Sequence, residues 1–365
     1  MINQELLYQI ALTLIPGIGD INGKRLLAYC GSAEAVFKAK HHELVKIPGI
    51  GSVLVNNILH HTTFKRAENE ILFIEKNEIQ PLFLTHPNYP ARLKECEDGP
   101  MLLFYKGNAD FNKRRFISVI GTRKMTNYGR AKCEEIITGL SRFNITVVSG
   151  LAYGVDSCAH KSALDCGLQT IGVLAHGIDL IYPPQNRKLA ESMFTQGGLL
   201  TEFISGTKPE REYFPRRNRI VAGLSDATLV IESDKKGGAM ITAEIANSYN
   251  RDVFALPGRV GDDVSRGCNF LIKTNRAALV ESADDIAYQL GWEDIEQKVK
   301  PQPELFLNLS DDENTILEII RKAEEIEIDQ LVINSKMTTS KVAAALLNLE
   351  FQGIVQRLPG KKYTA

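Results

Sequence analysis

Six short apolar runs constrain the fold of this chain more than any other feature. RFISVIG, ITVVSG, TIGVLAHG, GGLLTEF, ATLVIES and DVFALPG follow one another between residues 115 and 258, with helical windows between them. Each run is continuously apolar instead of alternating with polar residues. Strands of that kind are buried on both faces, which predicts an α/β fold with a parallel sheet covered by helices.

Open parallel sheets bind ligands outside the carboxyl ends of their strands. Here those ends run into glycine-bearing loops: VIGTRKMTNYG, VVSGLAYGVD, VLAHGIDLIYP, VIESDKKGGAMITAEIA and ALPGRVGD. Gly121, Gly150, Gly154, Gly237 and Gly238 let backbone N–H groups approach a ligand closely. Gly238 opens a helical window that holds Thr242, and a helix start with free N–H groups is an anion site. A lone glycine turn is common, but five such loops on one sheet edge point to a crevice for phosphates. The GxGxxG fingerprint is missing after the first run, as is the acid expected about 20 residues later. Nicotinamide and flavin are not expected, and neither is any other cofactor.

EREYFPRRNRIVAGLSD, residues 210–226, also leaves a strand end. With the residues just before it, it gathers Lys208, Arg211, Arg216, Arg217 and Arg219 around Tyr213 and Phe214, against Glu210 and Glu212. Pro215 suits the first turn of a helix running to about Gly223. Arginines follow phosphates while an aromatic ring stacks on an unpaired base, which duplex bases do not offer. The combination points to single strands. The plainer reading is a solvated helix start with its arginines paired to Glu210 and Glu212.

The flanks differ from the centre. LIPGIGDINGKRLL at 14–27 is echoed by KIPGIGSVLVNNIL at 46–59, so IPGIG recurs 32 residues on. Pro and Gly make a tight turn and the second Gly lets a helix start at once. This predicts a helical domain of two helix–hairpin–helix (SAM-like) units over 1–75, then an α/β domain over 76–292 that begins with a connector holding a strand-like IQPLFL. Polar, Pro-containing residues 293–309 read as a linker. Residues 310–365 give three helical patterns, a strand, a Pro-Gly turn and a basic strand, which predicts a winged helix. In the first hairpin copy Lys24 and Arg25 follow the turn, beside Asp20, while the second copy carries no base. The winged segment holds nine acidic and seven basic residues, and its candidate recognition helix, TTSKVAAALLNLEFQ, offers only Lys341. DNA contact by either flank, and a protein-contact or regulatory role for the last, stay open.

Composition narrows the class. With 43 basic and 44 acidic residues in 365 the chain is nearly neutral, so any nucleic-acid binding uses a local patch. The six cysteines form no CxxC pair, so no metal site is expected and reduced thiols in a cytoplasm are. No run of 18 apolar residues occurs, and the start lacks the pattern of a signal peptide, so neither a membrane span nor a leader is expected.

VIGTRKMTNYG, VVSGLAYGVDSCAHKSAL, TIGVLAHGIDLIYPPQNRKL, GGLLTEF, FPRRNRIVAGLSDATLVIES, GGAMITAEIA and GCNFLIK together resemble the DNA processing protein A (Smf) family, in family order from about 80 to 290. The resemblance implies a Rossmann-like core, a homodimer through that core, and single-stranded DNA in a basic pocket, delivered to the RecA recombinase during natural transformation. Matched residue by residue, Gly121, Thr122 and Arg123 become the phosphate loop. Phe214 becomes the stacking ring, with Lys208, Arg217, Asn218 and Arg219 beside it, and Gly237, Gly238 and Thr242 the glycine-rich helix start. No catalysis is expected: there is no HExxH and no GxSxG, and Asp156 and His160, four apart on a helix, suit a local hydrogen bond. Asp179 and Tyr182 are candidate polar pocket residues. The alternative is a nucleotide hydrolase of the phosphoribohydrolase type, whose PGGxGTxxE motif corresponds to GGAMITAEIA, with the GT missing and Glu244 displaced.

Overall fold

The computed structural model describes residues 3–112, 115–292, 309–323, 325–351, 354–358 and 362–364. The chain divides into two compact units, Met1–Gln297 and Lys298–Ala365.

The first unit opens with six helices: α1 (Gln4–Thr13), α2 (Asp20–Cys30), α3 (Ala33–Lys38), α4 (His41–Leu44), α5 (Ser52–Leu59) and α6 (Phe64–Lys76). Each IPGIG copy joins two of them, α1 to α2 and α4 to α5. Gly17 and Gly49 take φ of +83° and +81°, a conformation that side chains resist, and Gly19 and Gly51 cap the following helices. Asn57 on α5 donates to the carbonyl of Pro16 in the first turn, so the two hairpins brace each other.

Nine strands form one sheet: β1 (Gln80–Phe83), β2 (Leu102–Gly107), β3 (Phe116–Ile120), β4 (Thr146–Ser149), β5 (Gln169–Val173), β6 (Gly197–Thr201), β7 (Ala227–Val230), β8 (Asp252–Ala255) and β9 (Ala278–Leu279). Their order is β1-β2-β6-β5-β4-β3-β7-β8-β9. The strands from β6 to β9 pair in parallel, as the continuous apolar runs predict. β1 and β2 add an antiparallel edge. The strand-like IQPLFL is therefore the edge strand of the sheet. Its register with β2 is fixed because Leu82 and Phe83 are buried on it.

Helices α7 (Ala91–Lys94), α8 (Asn127–Leu140), α9 (Val155–Asp165), α10 (Arg187–Met193), α11 (Tyr213–Gly223), α12 (Gly238–Ser248), α13 (Arg266–Lys273) and α14 (Ala283–Gln289) complete this unit. Two apolar layers result. Phe116, Ile120, Val148, Val173 and Val230 pack under α11 and α12, while Ile117, Val119, Val147 and Leu229 pack under α8, α9 and α14. A third core ties the N-terminal helices to β1 and β2 through Ile79, Phe83, Leu102 and Phe104.

The second unit is built of α15 (Asp311–Ala323), β10 (Ile326–Glu327), α16 (Ile328–Ser335), α17 (Thr339–Phe351), β11 (Gln356–Leu358) and β12 (Lys362–Thr364), with the strands in the order β10-β12-β11. Three helices and a small antiparallel sheet are the winged-helix plan, packed around Ile316, Leu331, Leu346 and Leu349. Lys341, the base of the candidate recognition helix, pairs with Asp312 at 3.3 Å. The expected linker, apart from Leu309, lies outside the described residues.

Candidate nucleic-acid interface

The strand order reverses at β3, whose neighbours β4 and β7 are reached by connections running in opposite directions. The crevice at such a switch point opens between the loops that leave the two central strands. The link from β6 to β7 must pass over β5, β4 and β3. It carries α11 across the sheet, which brings the arginine–aromatic stretch to the crevice.

A single cleft there is lined by most of the residues expected from sequence. Gly121, Thr122 and Arg123 come from the β3 exit; Phe214, Arg217 and Asn218 come from α11; Gly237, Gly238 and Thr242 come from the start of α12. The β3 loop is fixed by Glu232. Its backbone carbonyl accepts from Thr122 N at 2.7 Å, and its buried carboxylate accepts from Thr126 N at 2.9 Å and from Thr126 Oγ1 at 2.5 Å. A side chain at Gly121 would run into Val155 and the carbonyl of Glu232, so only glycine permits this approach.

Arg217 is 7% exposed and donates from Nη1 to the carbonyl of Val173 at 2.6 Å. Burial lowers its pKa, with Asp156 opposing. Asp156, 8% exposed, faces it, and a side chain at Gly150 would meet both groups. The His160 ring is fully buried. Its Nε2 lies 2.5 Å from the carbonyl of Gly150 and its Nδ1 2.7 Å from Thr170 Oγ1. Asp156 and His160 therefore do not bond each other; each holds a different part of the cleft floor.

An apolar side pocket adjoins the cleft and shares Arg123, Ala152, Phe214 and Arg217 with it. Tyr153, Tyr182 and His176 line it together with Leu151, Val173 and Leu174. Arg123 lies over the Phe214 ring at 5.5 Å, and Tyr182 meets the same ring at 6.4 Å. Tyr182, singled out in the sequence, lines this pocket. Asp179 does not: its carboxylate accepts from Gly206 N at 3.0 Å. Tyr153 and His176 escaped the sequence reading although both sit in strand-exit loops, because neither departs from an ordinary loop composition.

Two expected ligands stand elsewhere. Lys208 is exposed on the loop before α11 and lies outside the lining of both pockets. Arg219 corrects the expectation that it faces phosphate. It is 8% exposed, and its Nη2 lies 2.5 Å from Glu202 Oε2 and 3.0 Å from Asp20 Oδ2, while Nη1 donates to the carbonyl of Asp98 at 2.5 Å. Arg216 pairs with the same Glu202 at 2.8 Å. Both arginines lie on one helix face, as expected, but Glu202 and Asp20 hold them, not Glu210 and Glu212. Asp20 also accepts from Met101 N, and Lys24 donates to the carbonyls of Cys96 and Glu97. The acid and one base beside the first hairpin turn thus anchor it to the sheet.

This sheet, cleft and arginine helix match one family profile, DNA recombination-mediator protein A, over residues 80–291. The chain belongs to that family. A second profile, the DprA winged helix domain, matches residues 299–361. Among DprA relatives, Protein Smf of Synechocystis is 35% identical over all of this chain and 99% of its own length. The DNA processing protein DprA of Streptococcus pneumoniae is 41% identical over 54% of this chain and 70% of its own. An X-ray structure of the Streptococcus pneumoniae DprA superposes with a TM-score of 0.68 at 31% identity, covering 79% of this chain and 98% of that one. A Helicobacter pylori DprA structure, described as giving that protein's single-stranded DNA binding mode, superposes with a TM-score of 0.53 at 28% identity, over 58% of this chain and 95% of that one. The phosphoribohydrolase-like alternative draws no support from this cleft, since Glu244 is exposed on α12, pairs with Arg276 and does not line it.

Proposed function

We propose that this chain binds single-stranded DNA in the cleft between β3 and β7, without turnover. We propose further that it acts as a homodimer that hands the strand to the RecA recombinase during natural transformation. The observation that carries the reading is the meeting of Phe214 with Arg123 where the apolar side pocket opens into the phosphate-type cleft. A base requires a ring and an apolar wall, and its phosphates require N–H groups and fixed cations; here the two stand side by side. The Helicobacter pylori relative supports the strand as ligand.

Fluorescence anisotropy with a dT oligonucleotide tests this. Binding is expected with a log–log salt slope of about −0.7 per phosphate contacted. If Phe214→Ala and Arg123→Ala both bind as tightly as the parent, the cleft is not the binding site. Sedimentation tests the dimer, and a recombinase-loading assay on the bound strand tests the hand-over.

A further inference from the structure

Asp156 is a buried acid in a cleft whose other buried charge is cationic. It stands in the first turn of α9, where its Oδ2 accepts from Ala152 N at 3.3 Å. That N–H belongs to the loop before the helix, and the first-turn N–H of Val155 donates instead to the carbonyl of Thr122. Arg217 faces it from α11, Arg123 from the β3 exit and Ser149 from the end of β4. His160, one turn along α9, is directed to Gly150 and Thr170. His176 faces Arg217 from the β5 exit. Asp234 also lines the cleft, at its exposed rim.

The start of α12 lies in the same cleft and has no acid in its first turn. A side chain at Gly238 would meet nothing within 4 Å, so this helix start is open. We propose that Asp156 decides where phosphate sits: its carboxylate faces and neutralises Arg217 on the cleft floor, which confines the strand's phosphates to the α12 start and Arg123. This rests on the single-stranded DNA reading above. Burial already raises the Asp156 pKa against the pull of Arg217. A phosphate arriving nearby adds a like charge and favours the protonated form further. Strand binding therefore takes up a proton.

The test uses the full chain and a dT oligonucleotide. Wild type is expected to bind more tightly as pH falls from 8 to 5. Asp156→Asn is expected to bind about tenfold tighter at pH 7.5, the size of a one-unit charge coupling. Its salt slope should steepen by about 0.7, one added phosphate, and its pH dependence should disappear. Calorimetry of the wild type in buffers of different ionisation enthalpy reads the proton directly and needs no variant. The inference is overturned if wild type takes up no proton, or if folded Asp156→Asn binds equally or more weakly. Should wild type fail to bind the strand, or Phe214→Ala and Arg123→Ala bind like it, the underlying reading fails instead. Should those two variants lose affinity while Asp156→Asn matches wild type, only the role of Asp156 falls.

Discussion

Arg123 lies over the Phe214 ring, 5.5 Å from its centroid, although one leaves β3 and the other sits in the first turn of α11. The crossover from β6 to β7 brings them together. Each has a different expected effect when removed. Phe214→Ala takes away a stacking surface and should weaken oligonucleotide binding by about 1–3 kcal/mol, with the salt slope unchanged. Arg123→Ala removes a cation and should weaken binding of every sequence while flattening the slope by about 0.7. Titrations of both variants at several salt concentrations separate the two roles.

Arg219 should behave as part of the frame. Its guanidinium is closed off by Glu202, Asp20 and the carbonyl of Asp98. Leaving a buried charge uncompensated costs about 3–5 kcal/mol; Arg216 still pairs with Glu202, so the loss here falls below that full range. Burial already pushes the Glu202 carboxyl up, against Arg219 and Arg216, and its Oε1 has no partner. Arg219→Ala is therefore expected to lower the urea midpoint strongly. Oligonucleotide affinity per folded molecule should stay within about twofold of the parent. A large loss of affinity in a fully folded Arg219→Ala sample would return it to the site.

The contrast between Arg217 and Arg219 shows how far the sequence is legible. Continuous apolar runs announce buried parallel strands because burial on both faces leaves no polar alternation, and β3 to β8 stand where those runs are. Glycines in the strand exits locate the crevice for the same local reason. A helical register puts Arg216 and Arg219 on one face, yet which face meets the cleft depends on how α11 crosses the sheet. Nothing within residues 210–226 encodes that crossing. The partners of Arg219 come from Asp20 and Asp98, distant in the chain, so proximity along it favours the wrong acids, Glu210 and Glu212. IQPLFL reads as a strand, but β2 and the antiparallel pairing of the two are hidden likewise, since an antiparallel edge is defined by the strand it joins.

The first hairpin is clamped to the sheet by polar contacts as well as by its core. Asp20 accepts from Met101 N at 2.9 Å and from Arg219, and Lys24 reaches the carbonyls of Cys96 and Glu97 at 2.9 and 3.0 Å. Asp20→Ala should therefore raise amide hydrogen exchange in α2 and in residues 96–101 together, while exchange in α9 and α12 stays unchanged. Lys24→Ala should do the same more weakly, because its ammonium is only half-buried. Exchange that rises in α2 alone would show that the clamp contributes nothing across the boundary.

His160 gives the first unit an acid limit. Burial lowers its pKa to about 4, against about 6.5 in an unfolded chain. Between those values the unfolded chain binds the extra proton, so the contribution is complete above pH 6.5 and is lost as pH falls toward 4. The full effect is about 3 kcal/mol. Asp156, whose carboxyl is raised by burial, works in the opposite sense over acidic pH, so the comparison is made between wild type and His160→Gln. The variant should be less stable at pH 7.5, because the ring's contacts with Gly150 and Thr170 are lost. It should also show a shallower fall in urea midpoint from pH 6.5 to 4.5. Parallel falls in the two proteins would mean that another group sets the acid limit.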